Sequence, residues 1–94
     1  MMEERKFIVL IIYDIVDNKR RNKMVKCLEC YGVRVQKSAF EALLSRRQYS
    51  KLIAESRILI DERTDSLRLY VLDDVIDVYT WGIGERRESD CIIL

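Results

Sequence analysis

The chain contains no histidine and no proline, only three glycines and three cysteines, and its 17 basic residues nearly balance 16 acidic ones for a net charge of +1. The lack of histidine leaves no imidazole to serve as a catalytic base near neutral pH. It also removes the usual partners of cysteine in zinc sites. Near-neutral charge excludes a protein covered in positive field, so any contact with nucleic acid must come from local clusters. No linker, repeat or low-complexity segment divides the chain. A long hydrophobic run is missing too: the longest near the start, Phe7 to Tyr13, falls well short of the roughly 20 residues that a membrane helix needs. Acidic residues precede it where a secretory signal would carry positive charge. The expectation is a cytoplasmic protein with no membrane partner.

The sparse cysteines exclude more than they suggest. Cys27-Leu28-Glu29-Cys30 has the form C-x-x-C, but a structural zinc needs four ligands and only Cys91 remains. A redox pair normally opens a helix after a strand, whereas these two fall inside a helical pattern. Packing thiols in a reducing compartment are the expectation.

What is present is apolar patterning, at 49% apolar and 35% charged residues over 94 positions. That length makes a single domain, 1–94, with a small core for which self-association is a natural supplement. Phe7 to Tyr13, apolar and rich in β-branched residues, reads as a central strand. Asp17 is placed to cap a following helix, in which Met24, Val25, Leu28 and Tyr31 recur at helical spacing until Gly32 stops it. Val33 to Leu44 reads as a second strand, with a bulge near Ser38 to restore its alternation. Ser45-Arg46-Arg47-Gln48 has the form of a capping box, followed by a helix with Tyr49, Leu52, Ile53, Ser56 and Leu59 or Ile60 on its buried stripe. Leu67, Leu69 and Val71 mark a third strand. Val75 to Trp81 marks a fourth, and Cys91 to Leu94 forms an apolar tail. These elements point to an α+β fold of ferredoxin-like βαββαβ plan, with both helices on one face of an antiparallel sheet. Two such sheets packed face to face would cover the other side in a homodimer, and the tail, 85–94, would add a strand to a dimer or partner edge.

The place to look for chemistry is the end of the first strand. Asp14 closes it, and Lys19, Arg20, Arg21 and Lys23 follow within a dozen positions. A carboxylate on rigid backbone at a sheet rim can offer hard oxygen ligands to a divalent cation, while arginines can hold phosphate. The competing reading is an aspartate that only begins a turn. Further basic clusters are Arg34 with Lys37, Arg46 and Arg47 with Lys51, and Arg86 with Arg87. Each could equally be the solvated face of an amphipathic element.

The strings YDI at Tyr13 to Ile15, DNKRR at Asp17 to Arg21, YGVRVQKSAFE at Tyr31 to Glu41 and RLYVL at Arg68 to Leu72 together resemble the CRISPR-associated protein 2 family. The resemblance implies a ferredoxin-like homodimer in spacer acquisition that bridges dimers of a CRISPR-associated protein 1 integrase. It also implies a magnesium-dependent endonuclease acting on single-stranded RNA or double-stranded DNA, with the metal between protomers. By the same resemblance the metal-binding and catalytic aspartate is Asp14, with Tyr13 beside it and Arg21 and Arg34 as catalytic partners. Arg20, Arg21, Lys23, Arg34, Lys37, Ser38 and Phe40 would line a nucleic-acid surface. Lys23 stands where some members have another arginine, which keeps charge but loses bidentate phosphate geometry.

Two Asp14 carboxylates sharing a magnesium ion would polarise a phosphodiester and activate a water, and Arg21 or Arg34 would stabilise the charge that develops on the phosphate. One carboxylate per protomer is a sparse site. Two alternatives therefore stand beside it: a catalytically inactive DNA-binding adaptor of the integrase complex, and a ribonuclease toxin of similar fold. Tyr13 and Phe40 could stack on bases or belong to the core, and Ser38 could bind phosphate or satisfy local backbone.

Overall fold

The computed structural model describes residues 5–72. Strand β1 (Lys6–Asp14) is followed by helix α1 (Asn18–Glu29), strands β2 (Val33–Gln36) and β3 (Ala39–Ser45), helix α2 (Arg46–Arg57) and strand β4 (Ser66–Leu72). The four strands lie in the order β2-β3-β1-β4, and every neighbouring pair is antiparallel. This is the expected α+β, ferredoxin-like arrangement. Its most apolar strand, β1, lies between β3 and β4, where both edges of its backbone are hydrogen-bonded. The fourth strand expected at Val75 to Trp81, the Arg86 and Arg87 cluster and the tail 85–94 lie outside the described residues.

One expectation about the strands needs correction. Val33 to Leu44 is not one strand bulged near Ser38 but two, β2 and β3, turning back on themselves at Lys37 and Ser38. The register does shift, but between Arg34 and Gln36. A turn without glycine, proline, asparagine or aspartate leaves little trace in sequence. The hairpin supplies the strand that the βαββαβ plan requires.

Alternation along β1 sorts its side chains. Val9, Ile11 and Tyr13 are buried and pack with Met24 and Leu28 of α1 and Leu52 of α2, while Phe40, Ala42 and Leu44 of β3 complete the layer. Phe7 joins this face, meeting Tyr49 edge-on at 5.5 Å between ring centres. Ile8, Leu10, Ile12 and Asp14 point to the opposite face, beside Leu43 of β3 and Arg68, Tyr70 and Leu72 of β4. On that face Ile12, Leu43 and Tyr70 are all exposed.

The helices begin where their caps predict. The Asp17 carboxylate accepts the Arg20 amide at 2.9 Å. Ser45 and Gln48 form the reciprocal capping box, with the Gln48 amide donating to Ser45 Oγ at 3.3 Å and the Ser45 amide to Gln48 Oε1 at 2.9 Å. After α1, the Gly32 amide donates to the Leu28 carbonyl at 3.0 Å. Glycine is required there by proximity: a Cβ would stand 2.1 Å from the Glu41 carbonyl oxygen. Cys27 and Cys30 lie at the end of α1 as free thiols; burial pushes the Cys27 thiol pKa up, which suits packing, whereas Cys30 is exposed and does not fill the packing role expected of it.

Candidate active site at the end of the central strand

Asp14 is the last residue of β1 and is exposed, opposite Ser66 at the start of β4. Its backbone is held by pairing with β4 and by its neighbours Tyr13 and Ile15, which are only 2% and 3% exposed. A carboxylate so placed is solvent-facing yet fixed at its root.

Tyr13 points the other way, into the core. Its hydroxyl donates to the Lys37 carbonyl at 3.2 Å, and its amide donates to the Ser38 carbonyl at 3.1 Å. Arg34 Nη2 reaches the same Lys37 carbonyl at 2.6 Å. The expected site residues Tyr13, Arg34, Lys37 and Ser38 are thus brought together, around the β2–β3 turn. Tyr13 and Arg34 brace that turn from inside, while the side chains of Lys37 and Ser38 are exposed. Phe40, expected on the nucleic-acid surface, is instead fully buried, with its ring 6.3 Å from that of Tyr13. Strand alternation sends it to the helix-covered face, where it cannot stack on a base.

The second group surrounds the loop between β1 and α1. Arg21 donates through Nε and Nη2 to the Ile15 carbonyl at 3.2 and 3.0 Å, through Nη2 to the Val16 carbonyl at 3.2 Å, and through Nη1 to Asn18 Oδ1 at 2.6 Å. Arg20 donates through Nε to Asp65 Oδ2 at 3.0 Å and through Nη2 to Asp65 Oδ1 at 3.3 Å, a forked pair. The Asp65 side chain is wholly out of solvent. The Arg20 guanidinium, followed by the Asp61 amide, holds its carboxyl well below the usual carboxylate range. The two α1 arginines expected to meet phosphate are therefore committed to the protein's own backbone, Asn18 and Asp65. Lys19 and Lys23 remain exposed on α1.

Sequence reasoning missed Asp65, which lies in the polar stretch Asp61 to Ser66 before β4. Its partners Val16 and Arg20 lie 49 and 45 positions away, so no local spacing could expose it. It also gave no role to Arg68. That residue lies opposite Ile12 in the ladder, on the face that carries Asp14, and is exposed. The recurrence of polar residues at Ser66, Arg68 and Tyr70 in β4 was the available signal.

The family model for CRISPR associated protein Cas2 matches residues 7–76. The chain belongs to the Cas2 family. Among Cas2 relatives, it is 47% identical over 81 residues to "CRISPR-associated endoribonuclease Cas2 3" of Chloroflexus aurantiacus, covering 84% of this chain and 87% of that protein. It is 46% identical over 80 residues to "CRISPR-associated endoribonuclease Cas2" of Mycobacterium tuberculosis, covering 84% and 69%. The crystal structure of Streptococcus pyogenes Cas2 at pH 6.5 superposes with a TM-score of 0.65 at 34% identity, covering 69% of this chain and 84% of that one. A hypothetical protein from Thermus thermophilus gives 0.74 at 38% identity, covering 84% and 94%.

A divalent metal does not fit the described residues of a single copy of this Cas2-family chain. Among the described residues no group of three or more histidine, cysteine, aspartate or glutamate side chains could hold one. Asp14 supplies hard oxygen donors, but one carboxylate is too few for a resident ion. Two copies of Asp14 are the smallest set that this strand end can offer. Among the described residues no helix is long and apolar enough to cross a membrane.

Proposed function

We propose that the chain is a homodimeric, magnesium-dependent endonuclease that acts on RNA or duplex DNA in the adaptation stage of CRISPR immunity, in the cytoplasm. The observation that carries this reading is Asp14, a solvent-facing carboxylate rooted at the exit of the central strand in a chain whose relatives bear the name endoribonuclease.

The open sheet face supports the dimer. Ile12, Leu43 and Tyr70 lie on it beside the half-buried Leu10 and are exposed, and a second copy would remove this apolar surface from water. Asp14 lies at one end of the same face, so two carboxylates from two copies would hold the cation. A magnesium ion there would supply phosphodiester polarisation and an acidified water, chemistry that a histidine-free chain does not provide from its own side chains. The protein's part is positional. Arg21 holds the carbonyls of the loop after Asp14, and Tyr13 with Arg34 holds the adjoining turn. The exposed ammonium groups of Lys19, Lys23 and Lys37, together with Arg68, would draw the polyanion to this rim.

The test is cleavage of labelled RNA and duplex DNA by wild type and Asp14→Asn, with magnesium and with chelator, beside a binding titration. Magnesium-dependent cutting that falls by at least about 100-fold in the variant, with binding within about twofold, is the expected result. Cutting that Asp14→Asn retains would overturn the assignment.

One observation favours a second reading, a DNA-holding adaptor that docks a CRISPR-associated protein 1 integrase. With Arg20 and Arg21 both committed internally, the site has one carboxylate and no free guanidinium on α1's first turn. Salt-dependent binding without cleavage by wild type, with retention of the integrase on an affinity column, would establish it.

A further inference from the structure

We infer that Asp65 is a positioning residue for Asp14, tying the β1–α1 loop to the connection between α2 and β4 and so setting where β1 ends. The inference rests on the reading of Asp14 as the reactive carboxylate. Asp65 lies outside the proposed chemistry, yet it gathers more polar contacts than any carboxylate that takes part in it. Its Oδ1 accepts the Val16 amide at 3.1 Å, Arg20 Nη2 at 3.3 Å and Thr64 Oγ1 at 3.1 Å. Its Oδ2 accepts Arg20 Nε at 3.0 Å and the Asp61 amide at 2.9 Å.

These contacts bear on Asp14 from two directions. Val16 is two residues beyond Asp14, and its own side chain is 65% exposed, so packing does little to hold that point of the loop. The hydrogen bond from its amide to Asp65 does, together with the Arg21 guanidinium on its carbonyl. On the other side, Ser66 directly follows Asp65 and is the residue paired with Asp14 in the β1–β4 ladder. Moving Asp65 therefore shifts both the strand beside Asp14 and the loop after it. Because the proposed site needs two copies of Asp14 to converge, an error in one strand end enters twice. Misplacements near 1 Å cost reactions of this kind about 100-fold in rate.

The substitution Asp65→Asn keeps shape but replaces one oxygen by a donor. In either orientation the amide then faces N–H groups: those of Val16 and Arg20 Nη2, or those of Asp61 and Arg20 Nε. At least one buried contact becomes donor against donor. Thr64 and Arg20 cannot relieve this without leaving the carboxylate's other contacts.

The experiment compares full-length wild type, Asp65→Asn and Arg20→Lys by amide hydrogen exchange and by steady-state cleavage of labelled RNA in magnesium. The expected result for Asp65→Asn is exchange of the Val16 and Asp61 amides accelerated at least about tenfold, while amides in the middle of β1 and β3 keep their protection. In cleavage, kcat falls at least about tenfold with KM within about twofold. Arg20→Lys, which loses the fork but leaves both backbone amides on Asp65, shows the same pattern more weakly. It also carries the test if Asp65→Asn does not fold. Unchanged Val16 exchange, a uniform loss of protection through the sheet, or a raised KM with kcat intact would each overturn the inference. A wild type that cuts nothing sinks the nuclease reading instead, and Val16 exchange then decides the positioning role alone.

Discussion

The ionisation of Asp65 makes an acid-dependent part of the stability. Arg20's side-chain hydrogen bonds, then the Asp61 and Val16 amides, lower its pKa in the folded protein, opposed by desolvation. In the unfolded chain a carboxyl of this type titrates near about 3.9. A folded pKa below the unfolded one means that the unfolded state takes up protons first as pH falls, so the contribution is complete above about pH 5 and is lost progressively below about pH 4. Asp17, lowered by its bond from the Arg20 amide, and Asp61, lowered by Arg63, act with the same sign. Urea unfolding at a series of pH values should show Asp65→Asn clearly less stable than wild type at pH 7, with the gap narrowing progressively as pH falls below about 4. A gap independent of pH would show that the Asp65 contribution is not one of charge.

Among the elements, the connection between α1 and β2 meets β3 where no side chain fits. The Cβ that Gly32→Ala would introduce stands 2.1 Å from the Glu41 carbonyl oxygen and 2.8 Å from Ala42 Cβ, and both neighbours belong to a strand paired on each side. Backbone in a doubly paired strand does not yield as a flexible side chain would. Gly32→Ala should therefore destabilise the protein by about 1–3 kcal/mol. In a thermal melt this is a fall in Tm of order 10 °C for a domain of this size. An unchanged Tm would mean that the end of α1 lifts away from β3 without cost. The same packing explains why a helix can turn directly into β2 within three residues, Cys30 to Gly32.

For the whole molecule, the decisive surface is the face of the sheet away from the helices. Leu43 is exposed on it, opposite the buried Ile8 in the β1–β3 ladder. A charge placed there would be desolvated by any partner sheet, and a two-fold arrangement would bury it twice. Leu43→Glu should weaken the proposed dimer at least about 100-fold in Kd, measured by sedimentation equilibrium, while leaving the circular dichroism of the monomer intact. A Leu43→Glu protein that remains as dimeric as wild type would place the interface elsewhere. If the two Asp14 carboxylates act together, the same variant loses cleavage in proportion to the dimer it loses.

Local patterns in the sequence were sufficient for β1 and for the starts and caps of both helices, because each rests on residues within a turn or two of one another; they overran the helix ends, since Tyr31 lies beyond α1 and Leu59 and Ile60 lie beyond α2. Asp17 bonds the amide three residues on, Ser45 does the same, and the apolar run before Asp14 leaves that carboxylate at a strand end. Gly32 was legible as a stop for α1, though not as the point of closest approach to β3. The β2–β3 turn was not legible, since Lys37 and Ser38 have no turn chemistry of their own and are held by Tyr13 and Arg34 from outside the turn. The sequence could name arginines near Asp14, but only tertiary structure decided that Arg20 bonds Asp65 and Arg21 the loop carbonyls. It also decided that Phe40 belongs to the core and that Asp65 ties the β1–α1 loop to the connection before β4. The physical reason is distance along the chain: a buried carboxylate is satisfied by whichever donors the fold brings to it, and here two of them come from 45 and 49 residues away.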